Sequence, residues 1–238
     1  MPPLMQQLVL DLQLPAPPSF EGFVRGDNAE PLFMLGEWLA GAEDVRFLYL
    51  WGEAGVGKSY LLAAAAARCG GTVIQTPAAL PDTLSGDEAL IVDGVDTLGA
   101  EQQIRLFDHY NTLREGRGRL LASGRLPPML LPLRDDLTTR LGWGLVYQLK
   151  ALSDADKVAA LKQRAVALGF DLSDDAAEYL LRHATRDLPA LNAVLERANV
   201  HALSLRRPVT VPLLREVLGV GREEGKAGRE EGRGKREG

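Results

Sequence analysis

The sequence predicts an α/β chain: a parallel sheet covered by helices on both faces, followed by a smaller unit made of helices alone. Three observations in its 238 residues carry that reading. Apolar runs with strand character alternate with helical runs between Arg46 and Leu149, as in sheets buried on both faces. The first of those strands empties into Gly52-Glu-Ala-Gly-Val-Gly-Lys-Ser59, and an alanine-rich helical run follows. From Ser153 onward the spacing is helical only.

The Gly52–Ser59 stretch has the Walker A spacing of a phosphate-binding loop. Glycines at 52, 55 and 57 admit backbone angles barred to other residues and leave no Cβ in the way, so successive N–H groups can turn inward around phosphate oxygens. The helix beginning near Lys58 adds its positive end. Lys58 is placed to reach β- and γ-phosphates, and the Ser59 hydroxyl to ligate Mg²⁺. Gly52, Gly55, Val56, Gly57, Lys58, Ser59 and Tyr60 are therefore the expected nucleotide contacts, with ADP or ATP and Mg²⁺ as cofactors.

Taken in order, residues 1–19 form a Pro-, Leu- and Gln-rich arm expected to be extended. Within Gln7-Leu8-Val9-Leu10-Asp11-Leu12 the leucines alternate, so an extended segment offers one apolar face. It suits either another protein's groove or this chain's own core. A helix follows Asn28, which can cap it, with Pro31 in its first turn and Leu32, Leu35 and Leu39 on its apolar face. Strands are expected at 46–51, 72–76, 89–93, 119–123 and 145–149, and helices at 58–69, 100–115 and 130–141.

In the second unit, Ser153 with Asp156 gives a capping pattern, and Val158, Leu161, Ala165 and Leu168 keep helical spacing until Gly169. A Ser173-capped helix, another from Asp187 to about Leu203 and a last turn to Leu218 complete it. The expected domains are a 1–19 arm, a 20–150 nucleotide-binding α/β domain, a 151–219 helical lid and a 220–238 charged, Gly-rich tail without apolar content to fold.

The net charge is −5, and because the tail carries +1, the rest carries −6. Bulk charge thus argues against non-specific DNA binding. A single cysteine, Cys69, excludes an internal disulfide and a Cys-rich zinc site. No apolar run is long enough to span a membrane, and the N-terminus lacks the pattern of a secretory signal, so the expected location is the cytoplasm.

Ala89-Leu-Ile-Val-Asp93 is an apolar strand ending in a carboxylate, which suits a second Mg²⁺ contact or a plain helix cap. The following residue is Gly94, with no side chain to orient water, and Asp96 reads as the cap of the 100–115 helix; slow intrinsic hydrolysis is expected. Ser123 ends the fourth strand near the phosphates, and Gly124 after it has no side chain to sense them. Arg140, in Arg-Leu-Gly-Trp-Gly144, is expected on a turn facing out from the sheet's carboxyl edge. There it can bind a phosphate of its own or a neighbouring molecule, or form a surface ion pair. Trp51 and Trp143 are expected to flank the site, and His109, His183 and His201 to have ordinary surface or capping roles.

Together Gly52–Ser59, Ala89–Asp93, Thr139-Arg-Leu-Gly-Trp-Gly-Leu145 and the helical unit resemble the AAA+ module of the DnaA family of bacterial replication initiators, over about residues 20–219. Within that family the chain is similar to the Hda branch of short homologues that switch the initiator off. The arm resembles a sliding-clamp-binding motif, the 149–158 segment resembles the start of the Hda lid, and no helix-turn-helix follows. The resemblance implies an AAA+ P-loop fold with a helical lid, and an adenine pocket lined by Phe23–Asn28, including Val24 and Asn28. It implies Lys58, Ser59 and Asp93 at nucleotide and Mg²⁺, and Arg140 as an arginine finger acting in trans. The implied partners are DnaA, the sliding clamp through Gln7–Leu12 and DNA indirectly through that clamp; a homo-oligomer is possible, and the sequence leaves the oligomeric state open. Gly124 departs from the family's polar sensor, and Pro189 stands where initiators carry a lid arginine, for which Arg186 could partly substitute. Other readings are a small-molecule P-loop kinase and a DnaA-like or helicase-loading ATPase acting on DNA.

Overall fold

A computed structural model describes residues 18–76, 80–185 and 187–219. The Gln7–Leu12 motif, Arg186 and the charged tail lie outside the described residues. Five strands, β1 (Phe47–Trp51), β2 (Val73–Gln75), β3 (Ala89–Asp93), β4 (Arg119–Gly124) and β5 (Leu145–Gln148), lie in the order β2-β3-β4-β1-β5. Every neighbouring pair is parallel, so β1, β3 and β4 deliver their last residues to one edge.

Alternation along β1 explains the two covered faces. Leu48 and Leu50 enter the core under α1 (Ala29–Ala40) and α2 (Lys58–Cys69), while Tyr49 points to the core under α3 (Ala100–Glu115) and α4 (Asp135–Trp143). The alanine run of α2 serves close approach: Leu61, Leu62, Ala64, Ala65 and Ala66 are all buried. Trp38 of α1 is fully buried, and its Nε1 donates to the carbonyls of Arg46 (3.1 Å) and Leu120 (3.2 Å), tying α1 to the sheet.

A separate core is built by α5 (Asp154–Ala167), α6 (Asp174–His183), α7 (Leu188–Leu205) and α8 (Val211–Leu218) around Leu161, Leu180, Leu191, Leu195 and Leu214. Its helix starts follow the sequence closely. Ser153 and Asp156 make a reciprocal capping box on α5, Ser173 accepts from Ala176 N (3.3 Å) on α6, and Asp187 accepts from Ala190 N (2.8 Å) on α7.

Four expectations are corrected. Arg46 does not enter β1: its guanidinium turns back to donate to the carbonyls of Leu113, Gly116 and Gly118 around the end of α3. The helix expected from 130 starts at Asp135, because Pro132 forces Leu131 into an extended conformation (φ −72°, ψ 138°) after a short Pro128–Leu130 turn. That helix continues through Trp143, so Arg140 lies in its last turn and not on a loop. Asp96 does not cap α3, whose N-cap is Gly99; it sits in a short 3-10 turn, Val95–Thr97.

Candidate functional site

The chain leaves β1 at Trp51 and enters α2 at Lys58 through a loop with three positive-φ glycines, two of which also leave no room for a Cβ. Gly52 has φ +154°, and a Cβ there would lie 2.5 Å from the Leu149 carbonyl oxygen, where the end of β5 closes against the loop. Gly57 has φ +99°, and a Cβ would strike the Phe23 ring at 2.6 Å. With those positions bare, the backbone forms the cradle that inward-turned N–H groups require. The Lys58 ammonium donates to the carbonyls of Gly52 (2.7 Å) and Glu53 (2.8 Å), folded back over the loop. Burial pulls its pKa below the usual lysine range, while the carboxylates of Asp93 and Asp96 oppose that shift. Ser59 is exposed in the first turn of α2.

Asp93 ends β3 beside this loop and is held from the next strand. The fully buried Ser123 hydroxyl donates to Asp93 Oδ1 and accepts from Gly94 N (3.1 Å). Ser123 is thus a positioning residue for the carboxylate. The two bare positions nearby have steric causes. Gly94 has φ +77°, and a Cβ would sit 2.9 Å from the Thr76 hydroxyl. At Gly124 a Cβ would fall 2.0 Å from the Tyr49 hydroxyl, which donates to Leu126 O (2.8 Å). Burial, reinforced by Asp96, pushes the Tyr49 phenol well above its ordinary range, so it stays a neutral donor. Asp96 in turn accepts from Arg125 Nε at 2.6 Å. Arg125 escaped the sequence reading because its significance depends on that partner, 29 residues away.

A cavity of about 520 Å³ opens from the loop toward the helical unit. Phe23, Val24, Val56 and Tyr60 line one side; Leu152, Lys157, Pro189 and Asn192 line the other. The Phe23 and Tyr60 rings stand 6.1 Å apart. Asn192 Oδ1 is buried without a hydrogen-bond partner among the described residues. Asn28 does not line this cavity: its amide exchanges hydrogen bonds with the Lys150 backbone, Oδ1 accepting at 2.7 Å and Nδ2 donating at 3.0 Å. It therefore fastens the start of α1 to the chain leaving β5 without bonding the helix N-terminus. A glycine cradle, an inward lysine, a fixed carboxylate and an apolar cavity with an unmatched acceptor fit a nucleotide with Mg²⁺. Lys58 and the loop N–H groups would hold its phosphates, Ser59 and Asp93 its metal, and Phe23, Val24 and Tyr60 its base.

Arg140 lies elsewhere. The helix carrying it runs into Leu145, which pairs with Leu48 near the start of β1, so Arg140 is at the amino edge of the sheet and not at the expected carboxyl edge. Its guanidinium stacks 4.2 Å over the Trp143 ring and within 5.9 Å of Tyr110, and Nη1 has no hydrogen-bond partner among the described residues. Trp143, 58 % exposed, is at that edge too and does not flank the phosphate loop.

Residues 154–218 match the family model described as the Hda lid domain. Among solved structures, the chain is similar to domain III of the replication initiation protein DnaA from Thermotoga maritima, with TM-score 0.72, 18% identity and 85% of this chain and 95% of that chain covered. It is also similar to the Holliday junction branch migration motor RuvB of the same organism, at TM-score 0.67, 16% identity and coverage of 86% and 72%. Against AMPPCP-bound DnaA from Aquifex aeolicus the TM-score is 0.63, with 18% identity and coverage of 79% and 66%. The chain thus shares the fold of these solved structures, and its helical unit matches the Hda lid domain.

Proposed function

We propose that this chain, with its Hda-type lid on a DnaA-like AAA+ fold, is a nucleotide-gated negative regulator of replication initiation. Bound to the sliding clamp through Gln7–Leu12, it presents Arg140 to ATP held by DnaA and stimulates its hydrolysis. The observation that carries this reading is the position of Arg140: at the amino edge of the sheet, with an unmatched donor, on the opposite edge from the loop that would hold the chain's own nucleotide. A guanidinium there is suited to another molecule's triphosphate. Its unmatched Nη1 is enclosed against the Phe107, Tyr110 and Trp143 rings, and turning outward from that stack would bring N–H donors to charge that grows on phosphate oxygens during transfer. A finger supplied from outside is worth about 10³–10⁵ in rate.

The chain's own site fits a switch better than a motor. Bound nucleotide supplies charge and shape between loop and lid; the residues around it bind and orient. Gly94 and Gly124 offer no side chain to position water, and both are sterically committed to glycine. The test is turnover of DnaA-bound ATP with DNA-loaded clamp, with and without this chain. Arg140→Ala is expected to bind nucleotide and clamp normally while losing most of the stimulation. Undiminished stimulation by that variant overturns the assignment.

A further inference from the structure

The nucleotide site as described leaves one ion pair at its rim unused. The Asp96 side chain is only 7 % exposed, whereas that of its partner Arg125 is 69 % exposed. Both belong to the edge where β1, β3 and β4 end. Gly124 is paired in register with Trp51, the residue before the phosphate loop, and Asp96 follows Asp93 by one short turn. The buried end of the pair is fixed: Asp96 Oδ1 and the Tyr49 hydroxyl both border the space above Gly124, at 3.4 Å and 2.0 Å from the position of a Cβ there. The other end is loose, because Arg125 donates through Nε and its Nη groups make no hydrogen bond among the described residues.

This rim adjoins the start of the phosphate loop, since Gly124 pairs with Trp51 and Ser123 bonds both Asp93 and Gly94. Asp93 and Asp96 act on the charge of Lys58 in one direction and Arg125 in the other, so all four groups share one electrostatic neighbourhood. A nucleoside triphosphate differs from a diphosphate by negative charge at the end that the loop lysine reaches. The space that a side chain on the last residue of β4 would take is filled by the Tyr49 hydroxyl. The next residue along is a cation with unused, planar donors.

We propose that Arg125 is the contact that distinguishes triphosphate from diphosphate in this site, and that Asp96 is the anion competing with the terminal phosphate for the same guanidinium. With a diphosphate bound, Arg125 stays on Asp96; with a triphosphate bound, its Nη groups turn to the terminal phosphate oxygens. The inference rests on the nucleotide-binding part of the reading above and assigns a discriminating residue within it.

The competition makes two neighbouring substitutions act in opposite directions. Titration of the full chain with ADP and with AMPPCP, both with Mg²⁺, reads it without any turnover. Arg125→Ala is expected to leave ADP affinity within about twofold and weaken AMPPCP about tenfold, as loss of a charge-assisted hydrogen bond implies. Asp96→Asn is expected to strengthen AMPPCP relative to ADP, and most of that gain should vanish when Arg125→Ala is also present. Equal effects of Arg125→Ala on both nucleotides, or an Asp96→Asn gain undiminished by loss of Arg125, overturn the proposal while leaving nucleotide binding intact. Failure of the unmodified chain to bind either nucleotide overturns both readings together.

Discussion

Gly124 illustrates how a single residue's identity can be set by a distant one. Its missing side chain reads in the sequence as a lost sensor, but the structure gives a packing cause, the Tyr49 hydroxyl occupying that volume. Restoring a polar residue should therefore fail on its own. Gly124→Ser is expected to destabilise the fold by about 1–3 kcal/mol through overpacking. Combining it with Tyr49→Phe should recover part of the loss, as measured by denaturant unfolding of the two variants. Independent, additive losses would remove the steric account. The Walker A spacing is visible in the sequence because Gly52 to Ser59 are consecutive, whereas the groups that leave no room for a side chain at Gly52 and Gly57, the Leu149 carbonyl and the Phe23 ring, are distant in the chain. Arg125 is not visible there, and Ser123 is placed at its strand end without its bond to Asp93, since the partners Asp96 and Asp93 come from a different strand end; Asn28 was misjudged because its amide bonds Lys150, 122 residues away.

At the scale of elements, local signals gave the right outlines. The strands fall within about a residue or two of their apolar runs, and Ser153, Ser173 and Asp187 cap the helices assigned to them. The α5 start offers the cleanest measurement, because both halves of the capping box are formed. Ser153→Ala is expected to cost about 1 kcal/mol, seen as a lower unfolding midpoint with an unchanged denaturant slope. A larger loss would mean that Ser153 also fastens the two units to each other. The misplaced element is α4, where apolar spacing from 130 outweighed the restriction that Pro132 places on its predecessor. That shift matters functionally: it moves Arg140 from the expected outward-facing turn onto a helix braced by Phe107 and Tyr110 of α3.

Over the whole molecule, the parallel order of the strands separates the two chemistries. Strand ends carry the nucleotide cradle on one edge, and strand beginnings carry Arg140 on the other. The alternating pattern disclosed the sheet, and because its strands are all parallel, the α4 terminus that runs into the first residue of β5 belongs to the amino edge whatever the strand order. The same separation has an optical consequence. Of the three tryptophans, Trp38 is wholly enclosed and Trp51 sits within β1, whereas Trp143 stands in solvent with Arg140 and Arg114 stacked on its ring. Collisional quenching by acrylamide should therefore act mainly on the emission of Trp143. Docking of an ATP-loaded protein over that edge should shield the Trp143 indole, whereas filling the chain's own cradle should leave the quenching constant nearly as it was. The indole thus serves as a built-in lamp on the far side of the sheet, reporting which edge is covered without any label.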